Sequence, residues 1–320
     1  MEHLTQYFLP VSIWFQNTPA WLISLFKGIT FLGNTEFYLI IMPALFWSID
    51  ATLGIRTGIM LLVSGGLNSI LKFAFQWPRP FWVTSRVTNL AEASSFGFPS
   101  GHAQNAASIW GLLGNSTPKK WLRALSLTII FLIGLSRIVL GVHFTHDVLA
   151  GWLVGAILLG IFLKVERPLT AWLRKQSLPK QILALLGATS LFLIPAVLIV
   201  PPFNPPPVPQ SWIAGAGTLI EPYHYEGLLT TTGAFFGLGL GLIFLFHTGD
   251  FNARGPIWQR ILRYITGLIG VLILYLGLGS IFPDRVDLLS YALRFLRYTL
   301  IGLWIAYGAP KLFIWLKLSE

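Results

Sequence analysis

Long apolar stretches, separated by short polar or charged segments, run along almost the whole chain. A membrane-spanning helix needs about 20 mostly apolar residues to cross the hydrocarbon core of a bilayer. Nine stretches approach or exceed that length, so the pattern predicts an all-α, polytopic transmembrane helix bundle of about nine spans. The first and third are short, and we expect them to tilt or to extend into neighbouring residues. The predicted spans are Glu36–Ile49, Thr57–Phe75, Gly101–Asn115, Trp121–Leu140, His146–Leu163, Gln181–Val200, Gly227–His247, Ile261–Phe282 and Tyr291–Leu316.

The N-terminal segment is apolar from Leu4 to Leu32 but is broken by Pro10, by the polar stretch 16–19 and by Lys27. We predict a pair of helices lying at the membrane interface, with a tenth span as the alternative. A signal peptide is not expected, because no basic region precedes the apolar part.

Composition supports the membrane assignment. Only 11% of the 320 residues are charged and 54% are hydrophobic, whereas a soluble domain usually has about 25% charged residues. An ordinary cytosolic enzyme, a secreted disulfide scaffold and a disordered chain are therefore excluded. The chain has no cysteine, which also excludes thiolate metal sites and a cysteine nucleophile.

The net charge of +10 is interpreted as a signal of orientation rather than of nucleic-acid binding. Most basic residues fall on one predicted side, which the positive-inside rule makes cytoplasmic and which also holds the C-terminus. The loop 201–226, on the other side, contains no Lys or Arg. The basic residues predicted on the cytoplasmic side are Arg56, Lys119, Lys120, Arg123, Lys164, Arg167, Arg174, Lys175, Lys180, Arg254, Arg260, Arg263, Lys311 and Lys317.

Three polar clusters occur at predicted helix ends on the outer side. They are residues 72–80 (KFAFQWPRP), 99–102 (PSGH) and 136–147 (SRIVLGVHFTHD). The spans were placed from apolar runs and loop charge, so the meeting of these clusters on one face is an independent observation.

The cations in these clusters indicate a multiply charged anion. Lys72, Arg79 and Arg137 together favour phosphate, because guanidinium groups match its oxygens with two parallel hydrogen bonds. Ser100 and Gly101 open a predicted helix, and the free N–H groups of a helix N-terminus also bind phosphate.

Two histidines and an aspartate supply candidate chemistry. His143 and Asp147 are four residues apart and share a helix face, so the carboxylate can hold one ring nitrogen as N–H and leave the other as a nucleophile. His102 can then protonate the leaving oxygen. The set predicts phosphoryl transfer through a phosphohistidine, with no metal and no cofactor.

The three clusters together resemble the signature of the type 2 phosphatidic acid phosphatase superfamily, with every specified position present in order. The resemblance covers Lys72 to Asp147 and implies a metal-independent membrane phosphatase. It implies that His143 is the nucleophile, Asp147 its partner and His102 the general acid. The phosphate-binding residues that it implies are Lys72, Arg79, Ser100, Gly101 and Arg137.

A looser resemblance links the nine-span layout with an outer N-terminus to the glucose-6-phosphatase branch of that superfamily. Segments 53–56 and 236–240 are similar to that branch, but Asp147 follows the general superfamily pattern, where the glucose-6-phosphatases tend to carry an amide. We predict an N-terminal interfacial segment (1–35), a catalytic phosphatase core (36–165) and a C-terminal transmembrane extension (166–320).

Structural alternatives remain open at these positions. Lys72 and Arg79 alone would suit side chains that reach toward the interface, and Ser100 alone would suit a helix cap. Residues 143–147 with His102 would suit a metal site, although three nearby cations disfavour a divalent ion.

Three further features have plain structural interpretations. His146 is assigned to a turn or cap, and Gly233, Gly237 and Gly241, spaced four apart, to close helix packing. The stretch 201–209 holds six prolines and predicts a stiff outer spacer, with a lid near the active site as the alternative.

The sequence therefore predicts a membrane phosphatase that acts on a lipid phosphate or polyprenyl pyrophosphate at the outer face of a bacterial plasma membrane. Its expected partners are this phosphorylated substrate and membrane lipids, with no nucleic acid. A soluble sugar phosphate such as glucose 6-phosphate is the alternative substrate. A transporter is a remote alternative, because transporter sites usually lie near the bilayer midplane.

Overall fold

The computed structural model of the chain describes residues 2–249 and 251–319. Within this described part every regular element is a helix, which confirms the all-α prediction. The chain forms two compact units. The first comprises Met1–Tyr38, Leu67–Phe162 and Ala196–His224, and the second comprises Leu39–Gly66, Leu163–Pro195 and Tyr225–Glu320. The division predicted at residues 35 and 165 stays a prediction.

The helices follow one another with short connections, and four of them continue or end in a π-helical turn. The α-helices are α1 (Glu2–Phe15), α2 (Ala20–Phe31), α3 (Thr35–Ala44), α4 (Ala51–Phe75), α5 (Pro80–Val83), α6 (Gly101–Asn105), α7 (Gly111–Asn115), α8 (Lys120–Val139), α9 (Thr145–Arg174), α10 (Leu178–Ile199), α11 (Gln210–Ala216), α12 (Glu226–Thr248), α13 (Ile257–Leu272), α14 (Leu278–Ile281), α15 (Leu288–Leu303) and α16 (Ala309–Trp315). The π-helical turns are Leu45–Ile49, Ala106–Trp110, Ile273–Gly277 and Trp304–Gly308.

Seven helical stretches are long and apolar enough to cross a membrane, so the protein is an integral membrane protein with several spans. The other two predicted spans correspond to shorter helices, Phe37–Ile49 and the run from Gly101 to Asn115. At about 1.5 Å per residue the second run extends for only about 22 Å. The count of nine spans therefore stays a prediction. The seven stretches are Ala51–Val83 (α4 and α5 with the residues between them), Lys120–Val139, Thr145–Arg174, Leu178–Ile199, Glu226–Thr248, Ile257–Ile281 and Leu288–Trp315.

Proline chemistry ends α4 where the first polar cluster begins. Gln76 has a φ of 52°, and Trp77 and Arg79 each precede a proline, which disfavours helical backbone at those residues. Pro80 then opens α5, where its missing N–H costs nothing. The chain between α4 and α5 is consequently extended, and it carries Arg79 away from the helix end.

In the second unit, α12 and α15 pack closely through the predicted glycine face. A Cβ atom built on Gly233 would lie 2.5 Å from the carbonyl oxygen of Phe295, and one on Gly237 would overlap the carbonyl oxygen of Thr299. Only glycine allows the backbones to approach this closely. The prediction of a packing face is thus confirmed.

Candidate active site

Arg79 is a buried cation held by backbone carbonyl groups of the first unit. Its side chain is 3% exposed, and its guanidinium donates to the carbonyl oxygens of Ser95 (2.5 Å), Val142 (2.8 Å) and Phe96 (3.2 Å). Because its planar fork has five donors, several carbonyls can fix its orientation. One branch, Nη1, lies 3.3 Å from Nε2 of His143. The first and third sequence clusters therefore meet at this contact.

Ser95 draws two of the predicted phosphate-binding cations together. Its hydroxyl oxygen accepts a 2.7 Å hydrogen bond from Nζ of Lys72 and lies 3.4 Å from Nη2 of Arg79. Lys72 lies in the last turn of α4, whereas Arg79 lies beyond the helix end. Ser95, in the loop between α5 and α6, thus holds the Lys72 ammonium and the Arg79 guanidinium side by side.

His143 lies in the turn between α8 and α9, with its side chain 2% exposed. Its Nδ1 is 3.2 Å from Oδ2 of Asp147, and that oxygen also accepts from the backbone N–H of Phe144 at 2.9 Å. An acidic residue is favourable in the first turn of a helix, where Asp147 lies in α9. With Nδ1 donating to this carboxylate, Nε2 keeps its lone pair.

Burial lowers the pKa of His143 below its ordinary value, and the charge of Arg79 lowers it further. The ordinary value is about 6.5. The imidazole is therefore neutral at pH 7, which is the state that a nucleophile needs.

His146, assigned from the sequence to a turn or cap, lies in the first turn of α9 and approaches the same carboxylate. Its Nε2 is 3.1 Å from Oδ1 of Asp147. Its ring stacks on Phe144 at 5.3 Å and meets the edge of Trp77 at 5.5 Å. Aromatic packing thus holds His146 beside the carboxylate that contacts His143.

The second cluster is joined to the third through the main chain. Ser100 occupies the N-cap position of α6, and its N–H donates to the carbonyl oxygen of Asp147 at 3.0 Å. The hydroxyl of Ser100 is buried and has no hydrogen-bond partner among the described residues. A buried hydroxyl left unpaired is costly, and a phosphate oxygen would satisfy it.

Gly101, the other predicted helix-opening residue, lies against a buried amide pair. A Cβ atom at this position would lie 2.8 Å from Oδ1 of Asn68. The Asn68 side chain donates to the carbonyl oxygen of Pro99 (3.2 Å) and to Oε1 of Gln104 (2.9 Å). Asn68 thus links the backbone just before Ser100 to the Gln104 side chain just after it.

His102 and Arg137 make their hydrogen bonds to residues near the N-terminus. Nε2 of His102 lies 2.9 Å from Oδ1 of Asn34, and Nη1 of Arg137 donates to the hydroxyl of Thr30 at 2.7 Å. Burial lowers the pKa of His102, and the positive charges of Arg137, Lys72 and Arg79 lower it further. All eight predicted site residues thus belong to the first unit, and direct contacts join four of them, Arg79, His143, Asp147 and Ser100.

Sequence reasoning missed the residues that hold this site together. Ser95, Asn34, Thr30 and Asn68 belong to none of the three clusters. Thr30 and Asn34 did carry a weak signal, because they are polar residues four apart at the end of an apolar segment. Among the described residues, His, Asp and Glu form no group of three or more that could hold a metal ion.

The helix that follows the proline-rich loop packs against the Arg79 segment. The Trp212 ring of α11 lies 5.8 Å from the ring of Trp82 and 6.4 Å from that of Phe96. The hydroxyl of Tyr223 donates to Oε1 of Gln76 at 3.0 Å. Residues beyond the predicted spacer therefore buttress the loops that carry the first cluster.

Comparison with known proteins places this arrangement in a family. The sequence model of the PAP2 superfamily matches residues 54–171, and that of the PAP2 superfamily phosphatase transmembrane extension matches residues 229–320. Phosphatidylglycerophosphatase B of Bacillus subtilis (strain 168) is 36% identical over 154 residues, which cover 43% of this chain and 72% of that protein.

A second relative is similar over most of the chain. Glucose-6-phosphatase 3 of Bos taurus is 26% identical over 323 residues, covering 89% of this chain and 88% of that protein. The crystal structure of the first transmembrane PAP2 type phosphatidylglycerolphosphate phosphatase from Bacillus subtilis aligns with a TM-score of 0.45 and 27% identity, over 52% of this chain and 88% of that one. The family models and the 36% identity together establish that the chain belongs to the PAP2 superfamily of membrane phosphatases.

Proposed function

We propose that this PAP2 phosphatase hydrolyses a lipid phosphate or polyprenyl pyrophosphate at the outer membrane face, through a phosphohistidine on His143 and without a metal. The observation that carries the proposal is the double contact of the His143 ring. Nδ1 faces the carboxylate of Asp147, and Nε2 lies 3.3 Å from the guanidinium of Arg79. A lone pair beside a phosphate-binding cation is suited to attack on phosphorus.

In the first step, Nε2 of His143 donates its lone pair to phosphorus while the bond between phosphorus and the leaving oxygen breaks. The ring becomes positively charged, and the Asp147 carboxylate stabilises that charge. Once the negatively charged phosphate group is bound and offsets the nearby cations, His102 is protonated and gives its proton to the leaving oxygen, so that the product departs as a neutral alcohol or, from a pyrophosphate, as a monophosphate.

In the second step, neutral His102 takes a proton from water, and the resulting hydroxide attacks the phosphohistidine. The bond between nitrogen and phosphorus breaks, its electron pair returns to Nε2 of His143, and inorganic phosphate leaves. Lys72, Arg79 and Arg137 stabilise the charge that develops on the transferring group, which is the role that a divalent cation plays in many other phosphatases.

Lipid substrates are supported by the resemblance to phosphatidylglycerophosphatase B and to sphingosine-1-phosphate phosphatase 2 of Mus musculus, which is 29% identical over 143 residues. The clusters also lie at or beside helix ends, and the ends of membrane-spanning helices are where lipid headgroups are expected. A soluble sugar phosphate is the second candidate, favoured by the similarity to glucose-6-phosphatase 3 over 89% of this chain.

The substrate is tested with the full-length protein in detergent containing EDTA. Phosphate release is measured from phosphatidic acid, a polyprenyl pyrophosphate and glucose 6-phosphate, with His143→Ala as the control. We expect metal-free release and at least a tenfold preference for a lipid substrate in kcat/KM. A preference for glucose 6-phosphate would select the second candidate, and release that needs added metal would refute the metal-free mechanism.

The orientation is tested separately by single-cysteine labelling, for which the cysteine-free chain is well suited. We expect an impermeant maleimide to label Asn204→Cys, in the proline-rich loop, in intact bacterial cells expressing the protein. Gln176→Cys should react only after permeabilisation, because its segment is rich in basic residues. The reverse labelling pattern would place the active site on the cytoplasmic side.

A further inference from the structure

Helix α2 and the turn that follows it supply hydrogen bonds to two residues of the candidate site. Oδ1 of Asn34 lies 2.9 Å from Nε2 of His102, and the Thr30 hydroxyl accepts from Nη1 of Arg137 at 2.7 Å. All four residues belong to the first unit. Neither Thr30 nor Asn34 lies within residues 54–171, which the superfamily model matches.

Local structure brings both side chains to the site. Thr30 is buried near the end of α2, and Asn34 follows four residues later in the turn before α3. Gly33 lets this turn approach closely, because a Cβ atom there would lie only 2.9 Å from Cδ2 of His102. The turn therefore contacts the His102 ring through both the Asn34 amide and the Gly33 backbone.

The chemistry of the Asn34 contact fixes the state of the His102 ring. An amide oxygen only accepts hydrogen bonds, so Nε2 must carry a hydrogen. Nδ1 is then the ring nitrogen that can gain a proton and deliver it to a leaving oxygen. The hydrogen bond also holds the ring plane, on which the geometry of proton transfer depends.

The contact with Thr30 acts on a different property. Arg137 is 3% exposed, and one branch of its guanidinium is committed to the Thr30 hydroxyl. This hydrogen bond orients the planar guanidinium group of Arg137. Less side-chain conformational entropy is therefore lost when phosphate binds.

We propose that Asn34 and Thr30 are positioning residues, Asn34 for the general acid His102 and Thr30 for the phosphate-binding Arg137. The N-terminal segment then contributes two positioning side chains to the active site. This inference rests on the roles that the proposed function gives to His102 and Arg137.

The two positioning roles predict different kinetic signatures. Protonation by His102 matters for a poor leaving group such as an alkoxide and matters little for p-nitrophenolate. Loss of Asn34 should therefore lower kcat for a monoalkyl phosphate much more than for p-nitrophenyl phosphate. Loss of Thr30 should instead raise KM for both substrates equally and weaken inhibition by inorganic phosphate.

Asn34→Leu has nearly the size of asparagine but no polar atom, and Asn34→Asp keeps an acceptor oxygen. For Asn34→Leu we expect kcat to fall about tenfold or more with dodecyl phosphate and less than about threefold with p-nitrophenyl phosphate. Asn34→Asp should restore most of the wild-type ratio of the two kcat values. This ratio does not depend on the fraction of protein that is folded. Equal losses on both substrates would overturn the role of Asn34.

Thr30→Val removes only the hydroxyl, and Thr30→Ser retains it. We expect Thr30→Val to raise KM and the inhibition constant of inorganic phosphate about fivefold, while Thr30→Ser stays within about twofold of wild type. An unchanged inhibition constant in Thr30→Val would remove the positioning role of that residue.

His102→Ala separates this inference from the proposed function. If His102 is the general acid, the loss of kcat in His102→Ala should be much larger with dodecyl phosphate than with p-nitrophenyl phosphate. Asn34→Leu should show the same difference between the two substrates, but a smaller one. A His102→Ala variant without this difference would refute the acid assignment itself. A difference in His102→Ala but not in Asn34→Leu would overturn only the inference about Asn34.

Discussion

Arg79 in the first unit and Arg263 in the second are both buried arginines that donate to backbone carbonyl groups. Arg79 donates to the carbonyls of residues 95, 96 and 142. Arg263 donates to the carbonyls of residues 252, 253 and 254 at 2.7 to 3.0 Å. Each arginine thus holds loop backbone in place from a buried position.

The two differ in what else the guanidinium faces. Arg79 lies 3.3 Å from Nε2 of His143, whereas Arg263 lies 5.7 Å from the centre of the Phe251 ring, as in a cation–π contact. Carbonyl partners make a buried cation tolerable in both regions. A catalytic role is proposed only for Arg79, because only its guanidinium borders a candidate nucleophile.

Replacing each arginine by lysine should give the largest difference between the catalytic role of Arg79 and the structural role of Arg263. Arg79→Lys keeps the charge but loses the fork, and we expect kcat/KM to fall about 100-fold to 1000-fold. Arg263→Lys should leave the activity of the folded protein within about threefold while lowering stability by about 2 kcal/mol. Phosphate release and thermal unfolding in detergent measure the two effects.

Similar activity losses in both lysine variants, after correction for the folded fraction, would show that the second unit contributes directly to catalysis. A fully active Arg79→Lys variant would remove the phosphate-binding assignment from that residue.

A second test disturbs each region at one glycine. A Cβ atom at Gly151 would lie 2.6 Å from the Ser100 carbonyl oxygen, so Gly151→Leu should displace the start of α6 and lower kcat/KM about tenfold to 100-fold. In the second unit, Gly237→Leu should lower thermal stability but leave the activity of the folded fraction within about threefold.

Each of these helices provides its own control. Gly160 in α9 and Gly227 in α12 have open space around the position of a Cβ atom, so leucine there should change activity and stability little. If Gly160→Leu were as damaging as Gly151→Leu, packing against Ser100 would not explain the loss.

The smallest expected effect is a shift in the titration of His143. Burial and Arg79 lower the pKa of this imidazole, so its neutral form should persist to a lower pH than that of an ordinary histidine with a pKa of about 6.5. Histidine-labelled protein gives six imidazole signals to follow by NMR, and His143→Gln identifies the one that disappears. A midpoint at or above the ordinary value would contradict the proposed environment.

Much of the candidate site could be predicted because its catalytic and phosphate-binding residues lie in three short sequence clusters. Each of the three clusters places charged or polar side chains at a helix end, and the apolar residues beside it predict the helix. The clusters are residues 72–80, 99–102 and 136–147. The pairing of His143 with Asp147 follows from a spacing of four residues. Apolar length alone did not settle the short helices at 37–49 and 101–115.

The residues that hold the site together could not be predicted, because they belong to loops and turns without periodicity. Ser95 reaches Lys72 across 23 positions, and Asn34 reaches His102 across 68. Such contacts depend on the folded path of the chain, which neither hydropathy nor a local motif encodes. For the same reason His146 was assigned to a turn, although it also packs beside Asp147.

In the proposed mechanism the phosphoryl group is transferred through His143, and trapping the phosphohistidine is the most direct test of that step. Full-length protein is mixed with a ³²P-labelled substrate in EDTA, quenched in alkali within milliseconds, and its labelled peptide is identified by mass spectrometry. We predict label on His143, up to one phosphate per chain, and no label in His143→Gln. Label that persists in His143→Gln, or that maps to another residue, would contradict the account.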